Sequence, residues 1–315
     1  MTEGMKYQQS EEGGVYHCMS RCVQGRRLLN KREQGVFRRM LERVAEFSGV
    51  EVITFCIMHN HFHILIRVPA RDTEPTDAEL VRRYHLLYPK ASKYAPVPPH
   101  RVELVLAGDE GDALREWLLR RMHDVSEFMR TLNLRFSLWY NRTHELFGAF
   151  WASRFKAVLI EDKQSLVSTV AAYVDLNPVR AGLVEDPKDY RFSGYGEAVA
   201  GCAGPRERLC RLMQADGEDE KERMAAYRRL LFCRAMRPAA GKAAVADEAA
   251  DRVLKEERGH LTRSAVAGVR LRFFIEGAVL GSAEFVRGFL GSGTRKKPRE
   301  TGAEGVCALR GPRER

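Results

Sequence analysis

The stretch Glu51–Val68, EVITFCIMHNHFHILIRV, limits the possible folds of this chain more than any other segment. Two apolar runs rich in β-branched residues flank a polar break at His59-Asn60, which predicts two strands joined by a tight turn. Alternate residues of a strand point to the same side, so the second strand directs its apolar residues to one face and His61 and His63 to the other. The apolar face requires a covering layer of helices.

The two histidines lie about 7 Å apart along the predicted strand, with convergent ring nitrogens. Such a pair can bind one divalent metal ion, but a His-x-His pair taken alone is more often two ordinary strand histidines. Farther along the chain, Tyr173 and Asn177 are four residues apart on a predicted helix and therefore share a face. Taken alone, Tyr173 fits a partly buried core tyrosine better than a reactive one.

Combined, these four residues fit phosphodiester chemistry. A divalent ion held by His61, His63 and the Asn177 side chain would polarise a phosphate, and Tyr173 would attack it to form a covalent phosphotyrosine. Two imidazoles and an amide oxygen leave open coordination positions, which suits Mg²⁺ or Mn²⁺ better than a closed structural zinc site.

The composition favours a polyanionic partner. The 315 residues carry a formal charge of +10 with a pI near 9.4, as many nucleic-acid-binding proteins do. No run of eighteen apolar residues is present, the N-terminus lacks a signal-peptide core, and the seven cysteines follow no disulfide spacing. We therefore expect a cytoplasmic, nucleoid-associated protein with reduced thiols.

Two segments could contact single-stranded DNA. Arg26 and Arg27 in the turn after the first strand could touch phosphates, and in Phe147–Ile160 aromatic and basic residues interleave, which suits stacking on unpaired bases together with phosphate contacts. A core tryptophan beside surface basic residues would explain the second segment almost as well. The candidate DNA-binding residues are Arg21, Arg26, Arg27, Trp151, Arg154, Lys156 and Arg180.

Periodicity predicts an α+β chain. A strand at Val15–Cys22, a helix at Lys31–Ser48 and the strand pair give the first half of a ferredoxin-like (RRM-like) antiparallel sheet. One long helix is expected at 114–141 and a strand at Ala157–Ile160. A further helix at 163–177 would be capped by Asp162 and ended by Pro178.

The predicted domain organisation has four parts. Residues 1–12 form a disordered N-terminus, and 13–200 form the catalytic domain, in which the proline-rich stretch 69–112 is an insertion with one short helix at 77–88. A small helical region follows at 201–290, and 291–315 form a disordered basic tail.

Within the C-terminal region, a helix is expected at about 219–236 and an alanine-rich linker at 239–250. Residues 254–290 suggest two or three helices with a turn at Gly281-Ser282. They form either a helix-turn-helix or a small packing domain.

Several motifs occur together in one order: HFH after a strand, then AYVDLNPVRAGLV and DPKDYRFSGY. This combination, over about residues 13–200, resembles the HUH single-tyrosine transposases, specifically the REP-associated tyrosine transposases. YHCMSR, FWASRFKAVLIED and GAVLGSAEFV are weaker matches. Two departures stand out: His59 replaces the family's usual proline, and the insertion 69–112 is longer than expected.

The resemblance implies a metal-dependent endonuclease and strand transferase that cleaves single-stranded DNA near hairpins of repeated palindromic elements. It assigns His61 and His63 as metal ligands, Tyr173 as the nucleophile that forms a 5′-phosphotyrosine, and Asn177 as the third ligand. The enzyme would act as a monomer or homodimer, with Tyr173 supplied by the same chain or by a neighbour.

Two alternatives remain open from the sequence. HNHFHILI nearly fits the histidine-triad nucleotide hydrolases, with a histidine as the nucleophile, although Asn60 stands where that pattern has an apolar residue. The chain could also be a DNA-binding regulator derived from a transposase, without cleavage activity.

Overall fold

The computed structural model describes residues 13–71, 74–214, 219–236, 277–290, 299–300 and 307–310. The predictions for residues 1–12 and 239–250 lie outside this described part. The fold is α+β, as predicted, and the chain divides into two compact units. The first unit comprises Met1–Gly14, Lys31–Val52 and Arg67–Trp151, and the second Val15–Asn30, Ile53–Ile66 and Ala152–Arg315.

Four strands form the ferredoxin-like part of the sheet: β1 (Gly14–Arg21), β2 (Glu51–Ile57), β3 (His61–Val68) and β4 (Lys156–Ile160). Their order in the sheet is β2-β3-β1-β4, so β3 inserts between the two strands joined by the first helical crossover. β1 pairs antiparallel with β4, placing His17 opposite Val158. The predicted sheet is confirmed.

Three further strands extend the sheet beyond β4: β5 (Gly277–Gly281), β6 (Arg299–Glu300) and β7 (Cys307–Arg310). The prediction of an all-helical region at 201–290 and of a disordered tail at 291–315 is therefore wrong at these positions. The short apolar run GAVLG pairs in parallel with β4, and a run of this length does not distinguish strand from buried helix. The helix-turn-helix or small packing domain expected within 254–290 falls largely on residues 237–276, which lie outside the described part.

The first unit is helical outside the strand ends that it includes. Its helices are α1 (Lys31–Ser48), α2 (Asp77–Leu87), α3 (Val102–Leu106), α4 (Gly111–Leu119) and α5 (Val125–Thr143). The predicted bounds of α1 are confirmed, and α1 packs against α2 and α5. The insertion 69–112 carries α3 and the start of α4 in addition to the one helix predicted there.

The single helix predicted at 114–141 is wrong, because the chain breaks between α4 and α5. His123 adopts a left-handed backbone conformation (φ 53°), and the Asp124 carboxylate accepts a hydrogen bond from the Glu127 backbone N–H at 2.8 Å. This is an N-cap, and its sequence signal is an aspartate followed three residues later by a glutamate.

The helices of the second unit are α6 (Gln164–Asp175), α7 (Asn177–Arg180), α8 (Gly194–Val199), α9 (Ala203–Leu212), α10 (Glu220–Met236) and α11 (Ala283–Leu290). The predicted cap at Asp162 is wrong, since Lys163 occupies the N-cap position without a side-chain hydrogen bond. α6 ends at Asp175, and Pro178 lies in the first turn of α7, where proline is well tolerated. None of the described helices is long and apolar enough to cross a membrane.

A fully buried carboxylate, Asp175, joins four elements of the second unit. It accepts hydrogen bonds from the Thr54 hydroxyl of β2 at 3.0 Å, the Tyr195 backbone N–H of α8 at 3.1 Å, and the Tyr227 hydroxyl of α10 at 2.6 Å. Burial raises the pKa of Asp175 to about 7, although these three donors lower it. Tyr173 lies two residues before Asp175, so these hydrogen bonds also fix Tyr173 relative to the sheet.

The segment around DYRFSGY covers the edge of β2. The Ile57 backbone N–H donates to Phe192 at 2.9 Å, and the Tyr190 hydroxyl donates to the Ile57 carbonyl at 2.8 Å. Gly194 allows a close approach, because a Cβ there would lie 2.2 Å from the Thr54 hydroxyl oxygen. The segment thus protects an edge strand and supports the Thr54–Asp175 contact.

Replacing Asp175 with alanine should lower the free energy of unfolding by about 3 kcal/mol, because buried hydrogen-bond donors lose their acceptor. Urea denaturation followed by circular dichroism measures this change. Asp189→Ala, an exposed aspartate of the same unit, is the control and should change stability by less than about 0.5 kcal/mol. Equal midpoints for the two variants would contradict the role of Asp175.

Candidate active site

The structure brings the predicted catalytic residues together within the second unit. His61 and His63 lie on β3, Tyr173 lies on the last turn of α6, and Asn177 begins α7. The Tyr173 ring centroid is 5.7 Å from that of His63, and the His61 and His63 centroids are 5.0 Å apart. Within one chain, the Tyr173 ring therefore lies beside His63 and its neighbour His61, and Asn177 follows one turn after Tyr173.

Burial controls the charge of the two imidazoles. It lowers the pKa of His61 to about 4, with a smaller effect from the positive charge of Arg21. For His63, burial and then the nearby His17 and His61 rings lower the pKa well below its usual value. Both rings are therefore neutral at pH 7, which is the form that binds metal ions.

Tyr173 is 3% exposed, and burial raises the pKa of its phenol to about 12, while the Arg180 charge lowers it. The Arg180 guanidinium carbon lies 4.6 Å from the centroid of the Tyr173 ring. The phenol is thus protonated at neutral pH and shielded from solvent, so a phosphodiester reaches it only after the surrounding side chains shift.

Arg180 is a partly buried cation with two donors that have no partner. Its Nε and Nη1 atoms are buried without a hydrogen-bond partner, and burial lowers the pKa of its guanidinium to about 10. Orphaned buried donors of this kind are costly unless a ligand satisfies them. A phosphate beside Tyr173 would supply acceptors for both nitrogens.

Asn177 is held by the helix end that precedes it. Its Nδ2 atom donates to the backbone carbonyls of Tyr173 at 2.9 Å and Val174 at 3.2 Å. This confirms that Tyr173 and Asn177 are stacked one turn apart. Because Nδ2 is committed to the backbone, Oδ1 is the atom of this side chain directed away from it.

Two contacts to the histidines were missed by the sequence analysis. The His17 Nε2 atom of β1 lies 3.0 Å from His63 Nδ1, and the Asn60 Oδ1 atom lies 2.6 Å from His61 Nδ1. Strand alternation places His17 on an inward position of β1, but its contact with His63 depends on the pairing of β1 with β3. The sequence does not reveal that register.

The residues present fit a hard divalent cation. With both Nδ1 atoms in hydrogen bonds, the Nε2 atoms of His61 and His63 are the ring positions left for coordination, and Asn177 offers an amide oxygen. In the described part of the chain, no group of three or more His, Cys, Asp or Glu side chains could hold a metal ion. An ion at this site would therefore complete its shell with oxygen from Asn177, water or phosphate.

Most of the predicted DNA-binding residues are exposed in the second unit: Arg21, Arg26, Arg27, Arg154 and Lys156. The Arg27 guanidinium lies 3.1 Å from Nδ1 of His59. Burial and then Arg27 lower the pKa of His59. His59 thus interacts with a candidate DNA-binding residue.

Trp151 belongs to the first unit and packs in an aromatic cluster. Its indole N–H donates to the Asn133 carbonyl at 3.1 Å, and its ring contacts Phe37, Phe136 and Phe150. Of the two interpretations of this tryptophan, the structure favours the core residue over the base-stacking platform.

His61 should remain neutral in the metal-free protein down to about pH 5, because its pKa is lowered to about 4. Imidazole ¹⁵N NMR across pH 4–8 measures this, and His61→Gln assigns the signal. The unfolded chain takes up this proton first, so the contribution of His61 to stability falls as the pH drops below about 6.5. A titration midpoint near 6.5 would contradict the buried environment.

Comparison with known proteins gives a family match for part of the chain. Residues 11–77, about a fifth of the sequence, match the family described as Transposase IS200 like, and this segment includes His61 and His63 but not Tyr173. The chain is similar to a solved REP-associated tyrosine transposase bound to a REP hairpin, with 16% identity, a TM-score of 0.41, and coverage of 64% of this chain and 87% of that chain. No curated protein matches. The predicted resemblance to transposases is thus confirmed over residues 11–77, which are similar to the IS200-like transposase family.

Proposed function

We propose that this protein cleaves and rejoins single-stranded DNA through a covalent bond between Tyr173 and a 5′-phosphate. The observation that carries the proposal is the Tyr173 ring 5.7 Å from the His63 ring within one chain. The neighbouring His61 and His63 are neutral, and the unit that holds them has exposed basic residues. This arrangement supports assembly of the site from a single subunit.

In cleavage, the Tyr173 oxygen bonds to the scissile phosphorus as its proton leaves to solvent. The bond from phosphorus to the 3′-oxygen breaks, and that oxygen takes up a proton to become a free 3′-hydroxyl. Rejoining reverses these steps, because the phosphotyrosine retains the energy of the broken bond. No external energy source is required.

His61, His63 and Asn177 would hold Mg²⁺ or Mn²⁺. When bound, such an ion neutralises and polarises the scissile phosphate. The Arg180 donors that have no partner would bind an oxygen of the same phosphate. The positive charge of Arg180 lowers the pKa of Tyr173 and so favours its phenolate. Arg21, whose charge acts on both ligand histidines, and the exposed Arg26, Arg154 and Lys156 would hold the backbone of the DNA strand.

The substrate proposed is DNA next to a hairpin of a repeated palindromic element. This detail rests on the sequence motifs, above all AYVDLNPVRAGLV and DPKDYRFSGY. The second of these motifs covers β2 and supports Asp175, so it stabilises the position of α6.

Incubation with Mn²⁺ and a labelled single-stranded hairpin should yield a protein–DNA adduct that survives denaturing electrophoresis. Tyr173→Phe should abolish the adduct while retaining hairpin binding in a gel-shift assay. Tyr195→Phe is the control, because it removes the hydroxyl of another buried tyrosine in the same unit, and this variant should still form the adduct.

Two outcomes would overturn the proposal. Cleavage that persists in Tyr173→Phe would favour a histidine nucleophile, as in the histidine-triad hydrolases. Hairpin binding by the unaltered protein without any adduct would favour a DNA-binding regulator.

Arg180→Gln should slow adduct formation in single-turnover reactions by about 100-fold, the usual effect of removing one preorganised donor. Arg180→Lys should restore part of the rate, because it keeps the charge. Arg191→Gln is a matched control, since Arg191 is exposed and its guanidinium also stacks on an aromatic ring, that of Phe192. Equal rates for Arg180→Gln and Arg191→Gln would exclude Arg180 from the reaction.

A further inference from the structure

We propose that Asn60 and His17 are positioning residues that fix the proton on Nδ1 of His61 and His63, respectively, and so direct the Nε2 lone pairs toward the divalent cation. The proposal rests on the metal site of the proposed function and goes beyond it. Neither residue is a ligand; each acts through the histidine that it contacts.

The argument for Asn60 follows from its two hydrogen bonds. Its Nδ2 atom donates to the Gly25 backbone carbonyl at 3.0 Å, and a carbonyl only accepts, so the orientation of the amide is determined. The atom facing His61 Nδ1 at 2.6 Å is therefore Oδ1, which also only accepts. Neutral His61 must then carry its proton on Nδ1 and leave Nε2 unprotonated.

The backbone fixes the position of Asn60 as well. The Cys22 backbone N–H donates to the Asn60 carbonyl at 2.8 Å, and the Leu29 backbone N–H donates to the His59 carbonyl at 2.9 Å. These bonds join the loop after β1 to the turn between β2 and β3. The Gly25 carbonyl is thereby held where it can orient the amide.

His17 performs the same task for His63 from the neighbouring strand. Both side chains are buried, their ring planes are within 16° of each other, and the two facing nitrogens are 3.0 Å apart. A single proton lies between these nitrogens when both rings are neutral. If this proton resides on His63 Nδ1, that N–H donates to His17 Nε2, and the lone pair of His63 Nε2 is available to a cation. If it resides on His17 Nε2 instead, neutral His63 carries its own proton on Nε2, which then cannot bind a cation.

Both contacts act on the same ring atom. Each histidine has its Nδ1 occupied by a partner from outside β3, and such partners fix the orientation and tautomer of histidine ligands in metal sites. This accounts for a fully buried histidine on β1 and a polar residue in the turn.

The first test needs neither metal nor DNA. Imidazole ¹⁵N NMR of the metal-free protein at pH 7 should show His61 and His63 protonated on Nδ1. A proton on Nε2 of either ring would overturn the assignment for that ring, whether or not the protein cleaves DNA.

The second test measures Mn²⁺ affinity by isothermal titration calorimetry. His17→Leu and Asn60→Ala should each weaken binding by roughly 10–100-fold. His17→Gln, which keeps an acceptor near the position of Nε2, should restore much of the affinity, whereas a purely packing role for His17 would not distinguish glutamine from leucine. Thermal unfolding verifies that each variant is folded.

The outcomes separate this inference from the proposed function. Tight Mn²⁺ binding that is unchanged in folded His17→Leu and Asn60→Ala would overturn the positioning role while leaving the metal site intact. If the unaltered protein does not bind Mn²⁺, the metal site fails, and the positioning of its ligands fails with it even where the NMR tautomers agree.

Discussion

The buried Asp175 carboxylate is the constraint on which the candidate site depends. It accepts hydrogen bonds from β2, α8 and α10, and it lies two residues after Tyr173. These bonds fix the end of α6 against β2. In the sheet, β2 lies next to β3, the strand that carries His61 and His63. The phenol is thus positioned by a network of hydrogen bonds to Asp175.

This network extends the second unit, which holds the candidate site, beyond the part of the chain that the motifs cover. α10 lies past residue 200, the predicted end of the catalytic domain, yet Tyr227 bonds to Asp175 and Arg228 pairs with the buried Asp186 at 2.7 Å. The C-terminal strand β5 pairs in parallel with β4 and continues the sheet. Of the C-terminal region, α10 and β5 are therefore packed into the second unit.

The sequence predicted the features that depend on local periodicity. The bounds of α1, the β2–β3 pair and the stacking of Asn177 on Tyr173 follow from spacings of two, three or four residues, and the structure confirms them. The break between α4 and α5 was missed although Asp124 and Glu127 signal a cap. That signal competed with an apolar pattern that continues through the break.

Contacts between distant segments could not be predicted in this way. The His17–His63 pair depends on strand register, and the Asp175 network joins residues separated by 121 and 52 positions. The strand β5 was taken for helix because GAVLG is too short to show a period. The candidate catalytic groups could be named from the sequence because chemical type and short spacing define them, whereas the residues that contact them are set only by the fold.

Anomalous diffraction at the manganese edge, from crystals grown with Mn²⁺, tests the central claim most directly. We expect one ion bound by the Nε2 atoms of His61 and His63, with the Asn177 Oδ1 atom in the same shell and Tyr173 beside it. An ion bound through either Nδ1 atom, or bound only at a place away from these rings, would contradict the account.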